Sequence, residues 1–261
     1  MEVQTESVTE KHTYQLGFSE MYADDMYNKT GRLQKANKAI SVLRDYLGEL
    51  NNLTALDIGC STGIMTNYYA PHFKNITGVD IDEPAVIYAE ANKENNNSKF
   101  FVADAMNTKL PANNFDVIFC ANVYEHVPDT KKMLHEISRL LKPGGVCYFA
   151  AGNRLVWKDG EYRLPLLTVV PKSWAHLYLK MLGKGNYYYE THFTYWTLKK
   201  MVSDFDLTDY TKKIIKNPVK YCATEMIKQG SFNDPGMNSL WSCHRDEMPL
   251  REAQKSMFTS W

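Results

Sequence analysis

From Leu53 to Ala151, short apolar runs alternate with amphipathic stretches at helical spacing. Leu53 to Ile58 reads as a buried strand, Gly59 to Gly63 as a tight loop, and Ile64 to Ala70 as a short helix ended by Pro71. Asn75 to Ile81 predicts a second strand. A helix follows from Glu83 or Pro84 to about Asn95, with the proline in the first turn, where its missing N–H is no loss. Phe100 to Ala103 and Phe115 to Ala121 predict the third and fourth strands. Met133, Leu134, Ile137, Leu140 and Leu141 form the apolar stripe of a helix capped by Asp129 or Thr130. Lys142-Pro143-Gly144-Gly145 predicts a turn, and Val146 to Ala151 the fifth strand.

Strands that alternate with helices imply an α/β fold: a doubly wound, mostly parallel sheet with helices on both faces. Right-handed crossovers then gather the loops after the strand C-termini along one edge, where such sheets bind ligands. The flanks read differently. Residues 1–48 form an N-terminal arm, dotted with Tyr14, Tyr22 and Tyr27, that orders against the domain. It ends in a helix with Leu33, Ala36, Ile40, Leu43 and Leu47 on one face and Gly48 as its stop. Residues 49–151 are the core, and 152–193, rich in Tyr, Trp, Leu and Pro, an insertion or lid over the ligand edge. Residues 194–261 complete the sheet and form a tail. There Thr194 caps a helix to about Asp204, and Leu207 to Ile215 predicts a returning strand.

Composition changes this picture mainly by exclusion. Thirty basic and thirty acidic side chains cancel, which argues against a partner that needs many phosphates neutralised, so no nucleic acid is expected. The polar start predicts no secretory signal, and no run of about 18 apolar residues suggests a membrane span. Five scattered cysteines, none spaced as CxxC, argue against a zinc site or a disulfide framework. The expected setting is a reducing cytoplasm, with no metal. Nothing in the chain speaks to its oligomeric state.

The chemistry-bearing residues cluster at strand ends. Glycines at Gly59 and Gly63 let a ligand approach the backbone closely. Asp80, after the second strand, can accept hydrogen bonds from both hydroxyls of a ribose. The spacing Gly59-x-x-x-Gly63 departs from the GxGxxG of a pyrophosphate cradle, and Asp57 just before it would repel a pyrophosphate but suit an ammonium or sulfonium. Two glycines after a buried strand can equally be a plain turn.

Leu56-Asp57-Ile58-Gly59-Cys60-Ser61-Thr62-Gly63 resembles the first motif of class I, Rossmann-like S-adenosylmethionine-dependent methyltransferases of the type 11, small-molecule group. The later motifs resemble that family in order. They are Gly78-Val79-Asp80-Ile81-Asp82, then Val102-Ala103-Asp104-Ala105, then Phe115-Asp116-Val117-Ile118 with Asn122-Val123-Tyr124-Glu125-His126-Val127, and Leu141-Lys142-Pro143-Gly144-Gly145. The resemblance implies S-adenosyl-L-methionine as cofactor. Asp57 and the loop backbone at Gly59 would hold the methionyl part, with Cys60, Ser61 and Gly63 also in the cofactor site; Asp80 would hold the ribose, and Ile81 would pack on the adenine. Asp104, with Ala105 beside it, would bind the adenine amino group, and Asn122 would face the methionine or the reacting centre. Ser61 departs from the pattern, standing where many members have a middle glycine.

Absent motifs narrow the acceptor. Cys120-Ala121-Asn122-Val123 is not the Asn-Pro-Pro-Tyr type used on base amines; no Pro-Cys pair follows, and Glu125 lacks the partner of the arginine-modifying double-glutamate loop. A small-molecule, glycan or lipid-linked acceptor is expected, with a hydroxyl oxygen the preferred target. Methylation of carbon or nitrogen on an apolar ring such as an isoprenoid quinone, and a non-catalytic binding protein of the same fold, are the alternatives. His126 and His192 are the candidate general bases, each with a structural role on its loop as the competing reading. Leu164 to Leu182, apolar but interrupted by Lys172, His176 and Lys180, reads as a hydrophobic lid that could also touch a membrane interface.

Overall fold

The computed structural model describes residues 15–160, 162–229 and 256–260. Alternating side-chain burial builds the sheet. In β4 (Phe115–Ala121), Val117 and Phe119 enter one apolar cluster while Ile118 and Cys120 enter the cluster on the opposite face. In β5 (Leu141–Ala150), Val146 and Tyr148 are divided in the same way from Cys147 and Phe149. That period-two alternation with both faces buried is what a sheet covered by helices on both sides requires.

With β1 (Thr54–Ile58), β2 (Asn75–Asp80), β3 (Ser98–Val102), β6 (Asp206–Asp209) and β7 (Ser256–Ser260), the order is β3-β2-β1-β4-β5-β7-β6. Every paired neighbour runs parallel. Sequence order reverses between β1 and β4, and that switch point opens a crevice beyond their C-termini.

Before β1 come α1 (Phe18–Met21), α2 (Ala23–Met26) and α3 (Lys29–Leu47). The Asn28 side chain accepts from the Gly31 amide to start α3, and Gly48, at φ +75°, stops it. Ala36, Ala39, Ile40 and Leu43 press α3 onto one sheet face beside α4 (Ile64–Tyr69). After β2 comes α5 (Glu83–Ala91). The opposite face takes α6 (Thr130–Leu140), through Met133, Leu134, Ile137 and Leu140, and α8 (Tyr195–Met201), through Leu198. Asp129 caps α6 by accepting from the Lys131 and Lys132 amides, and Thr194 caps α8 by accepting from the Thr197 amide.

Three local expectations need correction. Pro71 does not simply end a helix: it sits inside a 3₁₀ turn, Ala70–His72, where a missing amide is tolerated at the second position. The Lys142–Gly145 turn does not precede the fifth strand but lies within it. The register passes from Phe115 opposite Leu141 to Val117 opposite Val146, so those residues form a bulge, with Gly144 at φ +74°. The strand expected over Leu207 to Ile215 is β6 for its first part alone. From Thr211 the chain turns into α9 (Thr211–Lys216), because Ile214 packs onto the core at helical spacing, beside Tyr210.

The insertion holds α7 (Lys172–Met181) and its own apolar cluster, in which Leu167, Ala175 and Leu179 are fully buried with Tyr162, Leu164 and Tyr188 around them. Past β6, α10 (Thr224–Gln229) is followed at the end of the described chain by β7, which pairs with β5 on one side and β6 on the other.

Candidate active site

Beyond β1 and β4 lies a cavity of about 590 Å³. Its floor is the loop after β1, a tight coil with Gly59, Ser61 and Gly63 all at positive φ. The Gly59 and Cys60 amides both donate to the Val79 carbonyl, at 2.8 and 3.1 Å, which ties the loop to the end of β2. A Cβ on Gly59 would fall 2.4 Å from Val123 Cγ2, so the loops after β1 and β4 touch through this glycine. At Ser61 the left-handed backbone costs roughly 1 kcal/mol without glycine. Its amide donates to Asp80 Oδ2 at 2.7 Å, a charge-assisted bond that offsets the strain.

Two acids face this loop. Asp57 is 4% exposed and its Oδ2 accepts from Thr66 Oγ at 2.6 Å. Burial, reinforced by Asp80 and opposed by the Thr66 hydrogen bond and Arg32, pushes its pKa up to about 7. Asp80 accepts from the Ser61 and Asp82 amides, and burial raises its pKa too. Arg32, on α3, supplies the opposing cation. It lies in the field of Asp57, Asp80 and Asp25, and its guanidinium contacts Met26 Sδ at 2.8 Å. Sequence reasoning missed Arg32. It stands far upstream of every motif, and its sole signal is a basic residue near the start of a helix that packs on β1.

The arm covers the cavity. Ser19 donates its amide to Asp82 Oδ2 at 2.7 Å, Thr62 Oγ donates to the Met26 carbonyl at 3.0 Å, and the Gln15 side-chain amide donates to the His126 carbonyl. Phe18, Tyr22 and Met26 therefore form part of the wall.

Asp57, Gly59, Cys60, Ser61, Asp80, Ile81, Ala105, Asn122, His126 and His192 all line this cavity. Gly63 and Asp104 do not. Gly63 starts α4 and packs so closely that an added Cβ would meet Ala89 at 2.7 Å and Phe100 at 2.9 Å. Asp104 Oδ1 accepts from the Met106 amide at 2.8 Å, holding the turn that presents Ala105. Asn122 is at φ +56° and donates its amide to the Ala150 carbonyl. The His126 ring lies edge-on to Phe18, with centroids 4.9 Å apart. His192 Nδ1 is 3.0 Å from the Tyr188 hydroxyl, while its Nε2 edge lies against Gly152 on the cavity wall. The Thr191 amide donates to the Glu125 carbonyl at 2.8 Å, so the insertion's last residues are sewn to the loop after β4 and both histidines reach one cavity.

The set of groups suits an adenosine-bearing amino acid: buried carboxylates for an ammonium and a diol, a guanidinium for a carboxylate, and backbone exposed beside glycine. The comparisons agree. A sequence model described as a methyltransferase domain matches residues 56–149. The chain is 29% identical over 177 residues to a ubiquinone biosynthesis O-methyltransferase of Coxiella burnetii (strain Dugway 5J108-111), covering 66% of this chain and 71% of that protein. A protein of the same name from Leptothrix cholodnii is 30% identical over 148 residues, covering 55% and 59%. The plantazolicin methyltransferase BpumL, solved in complex with a pentazolic desmethylPZN analog and SAH, shares the fold with a TM-score of 0.54 at 22% identity. That match covers 77% of this chain and 76% of that one.

The chain carries, over residues 56–149, a methyltransferase domain on a Rossmann-like α/β fold that takes S-adenosyl-L-methionine as its cofactor. More particularly, it carries a class I methyltransferase domain of the type 11 group.

Proposed function

We propose that the protein methylates a hydroxyl oxygen of a small aromatic acceptor with an apolar substituent, the chemistry of a ubiquinone precursor. The observation that carries this is the convergence of His126 and His192 on the one cavity that also holds Asp57, Asp80 and Arg32. The names of the relatives support the same acceptor.

S-adenosylmethionine supplies an electrophilic methyl group when bound. Asp57 would hold its ammonium, Arg32 its carboxylate and Asp80 its ribose hydroxyls, and Ile81 and Ala105 would pack on its adenine. Asp104 supports the adenine from behind the wall and Gly63 supports the loop. Asn122 stands where the acceptor meets the methyl. One of the two histidines would take the acceptor's O–H proton as the acceptor oxygen receives the methyl group and S-adenosylhomocysteine leaves. Comparing His126→Ala and His192→Ala in turnover, the true base is expected to lose about 10²–10⁴-fold in kcat. Unchanged rates in both would leave methyl transfer without a general base. A screen of phenols, catechols, sugars and amines with labelled cofactor tests the acceptor class; label on amines or sugars alone overturns it.

Asp57 makes cofactor binding pH-dependent. With its pKa near 7, it is protonated below that pH and charged above it. A cationic ligand selects the charged form, so affinity for S-adenosylmethionine rises from pH 6 to pH 8 with release of a proton. For the free protein the sign is opposite: the fold keeps a proton that the unfolded chain gives up, so this group lowers stability progressively from the ordinary carboxylate range up to about pH 7. Calorimetry in buffers of differing ionisation enthalpy reads the proton, and Asp57→Asn is expected to abolish the pH dependence.

A lipid-linked acceptor also suits the outer face of the insertion. On α7, Trp174 and Met181 are 70% and 76% exposed, and Lys172, Lys180 and Lys184 fall in the same stretch of chain, with no acid between residues 162 and 189. Such a face fits an anionic bilayer surface. Sedimentation with phosphatidylglycerol vesicles is expected to carry the protein down, and Trp174→Ala to release it; protein that stays in the supernatant refutes membrane contact. No helix among the described residues is long and apolar enough to cross a membrane.

A further inference from the structure

A smaller cavity of about 230 Å³ adjoins the first. The two share Lys35, Met65, Ala121, Asn122 and Gly152, so they meet beside Asn122 at the end of β4. The far side of the smaller cavity is apolar: Tyr148 and Ala150 come from β5, and Met226 from α10. Along one wall Lys35 and Lys38 stand one turn apart on α3. Among the described residues no carboxylate lines this space.

This combination selects a ligand. Apolar walls exclude a sugar or a second nucleotide, whose hydroxyls would lose water without gaining partners. Two ammonium groups without a lining acid reject a cationic amphiphile and favour an anionic one. Arg32, Lys35 and Lys38 recur every three residues on the same helix; burial and then the like charges of Arg32 and Lys38 depress the Lys35 pKa, opposed by Glu125 and Asp25. An anion against this wall relieves that repulsion.

We propose that the smaller cavity is an acceptor subsite that takes an anionic amphiphile, its apolar chain against Tyr148, Ala150 and Met226 and its negative group on Lys35 and Lys38. This deepens the acceptor reading above and rests on the acceptor ring lying at Asn122. The volume holds a short chain segment.

The test uses decanoate as probe, titrated into the full-length protein saturated with S-adenosylhomocysteine and read by calorimetry. Decanoate is expected to bind at one site and decanol at least tenfold more weakly. Met226→Trp, which fills the apolar end, and Lys38→Glu, which reverses a charge at partly exposed positions, should each weaken decanoate at least tenfold. Both should leave S-adenosylhomocysteine affinity unchanged, which shows that the variants are folded. No decanoate binding, or binding indifferent to both substitutions, overturns the proposal. Because the readout is binding, it is separate from the acceptor chemistry. If decanoate binds as expected while no phenol or catechol is methylated, the subsite stands and the hydroxyl-acceptor reading falls.

Discussion

Gly59→Ala is expected to destabilise the protein by about 2–4 kcal/mol and to weaken S-adenosylhomocysteine binding as the loop distorts. Two effects add. At φ +76° a residue with a Cβ costs roughly 1–2 kcal/mol. The new methyl also falls 2.4 Å from Val123 Cγ2, and overpacking of that kind costs roughly 1–3 kcal/mol. A small opposing gain of about 0.4–1 kcal/mol comes from the stiffer unfolded chain. Urea unfolding reads the sum, and a double variant separates its parts. With Val123→Ala the clash disappears and the backbone strain remains, so Gly59→Ala should cost less in that background than in the wild type. Equal costs in the two backgrounds would show that the loops after β1 and β4 do not meet through Gly59.

Asp80→Ala is expected to weaken S-adenosylhomocysteine roughly 10- to 100-fold, the scale of about 1–3 kcal/mol for leaving hydrogen-bonding groups unpaired. On the proposed reading, the ribose hydroxyls would lose their acceptor. The Ser61 and Asp82 amides, now held at 2.7 and 3.0 Å, lose theirs as well. Asp80→Asn keeps one carbonyl acceptor and should fall between the two. Asp80 also raises the Asp57 pKa, so in Asp80→Ala the rise of S-adenosylmethionine affinity with pH moves to lower pH. Calorimetry across pH tests both effects, and unchanged affinity in Asp80→Ala would remove it from the cofactor site.

Much of the site was legible because a ligand edge built from strand ends needs particular residues at particular places in the chain. Gly59 and Asn122 each follow a strand, and Asp80 ends one, whose apolar run announces it. The order of those runs brings them together once the sheet is parallel. Arg32 was not legible. Its role depends on α3 lying across the loop after β1, and nothing local distinguishes it from the other basic residues of that helix. Asp104 illustrates the converse. The motif singles it out, while the structure uses one of its oxygens to hold the turn before Ala105.

By itself the sequence determined the α/β class, the five central strands and the methyl-donor motif, because each rests on local periodicity or on a short run of residue types. Tertiary structure decided what depends on distant pairing. β7 slots between β5 and β6, although its short run carries no pattern that marks a strand, and its backbone bonds to both neighbours place it. The left-handed Ser61, in place of a glycine, is held by a carboxylate from the next strand. His126 and His192 share a cavity because one backbone hydrogen bond, Thr191 to Glu125, closes the insertion onto the loop after β4. That juxtaposition links residues far apart in the chain, and local propensity does not encode it.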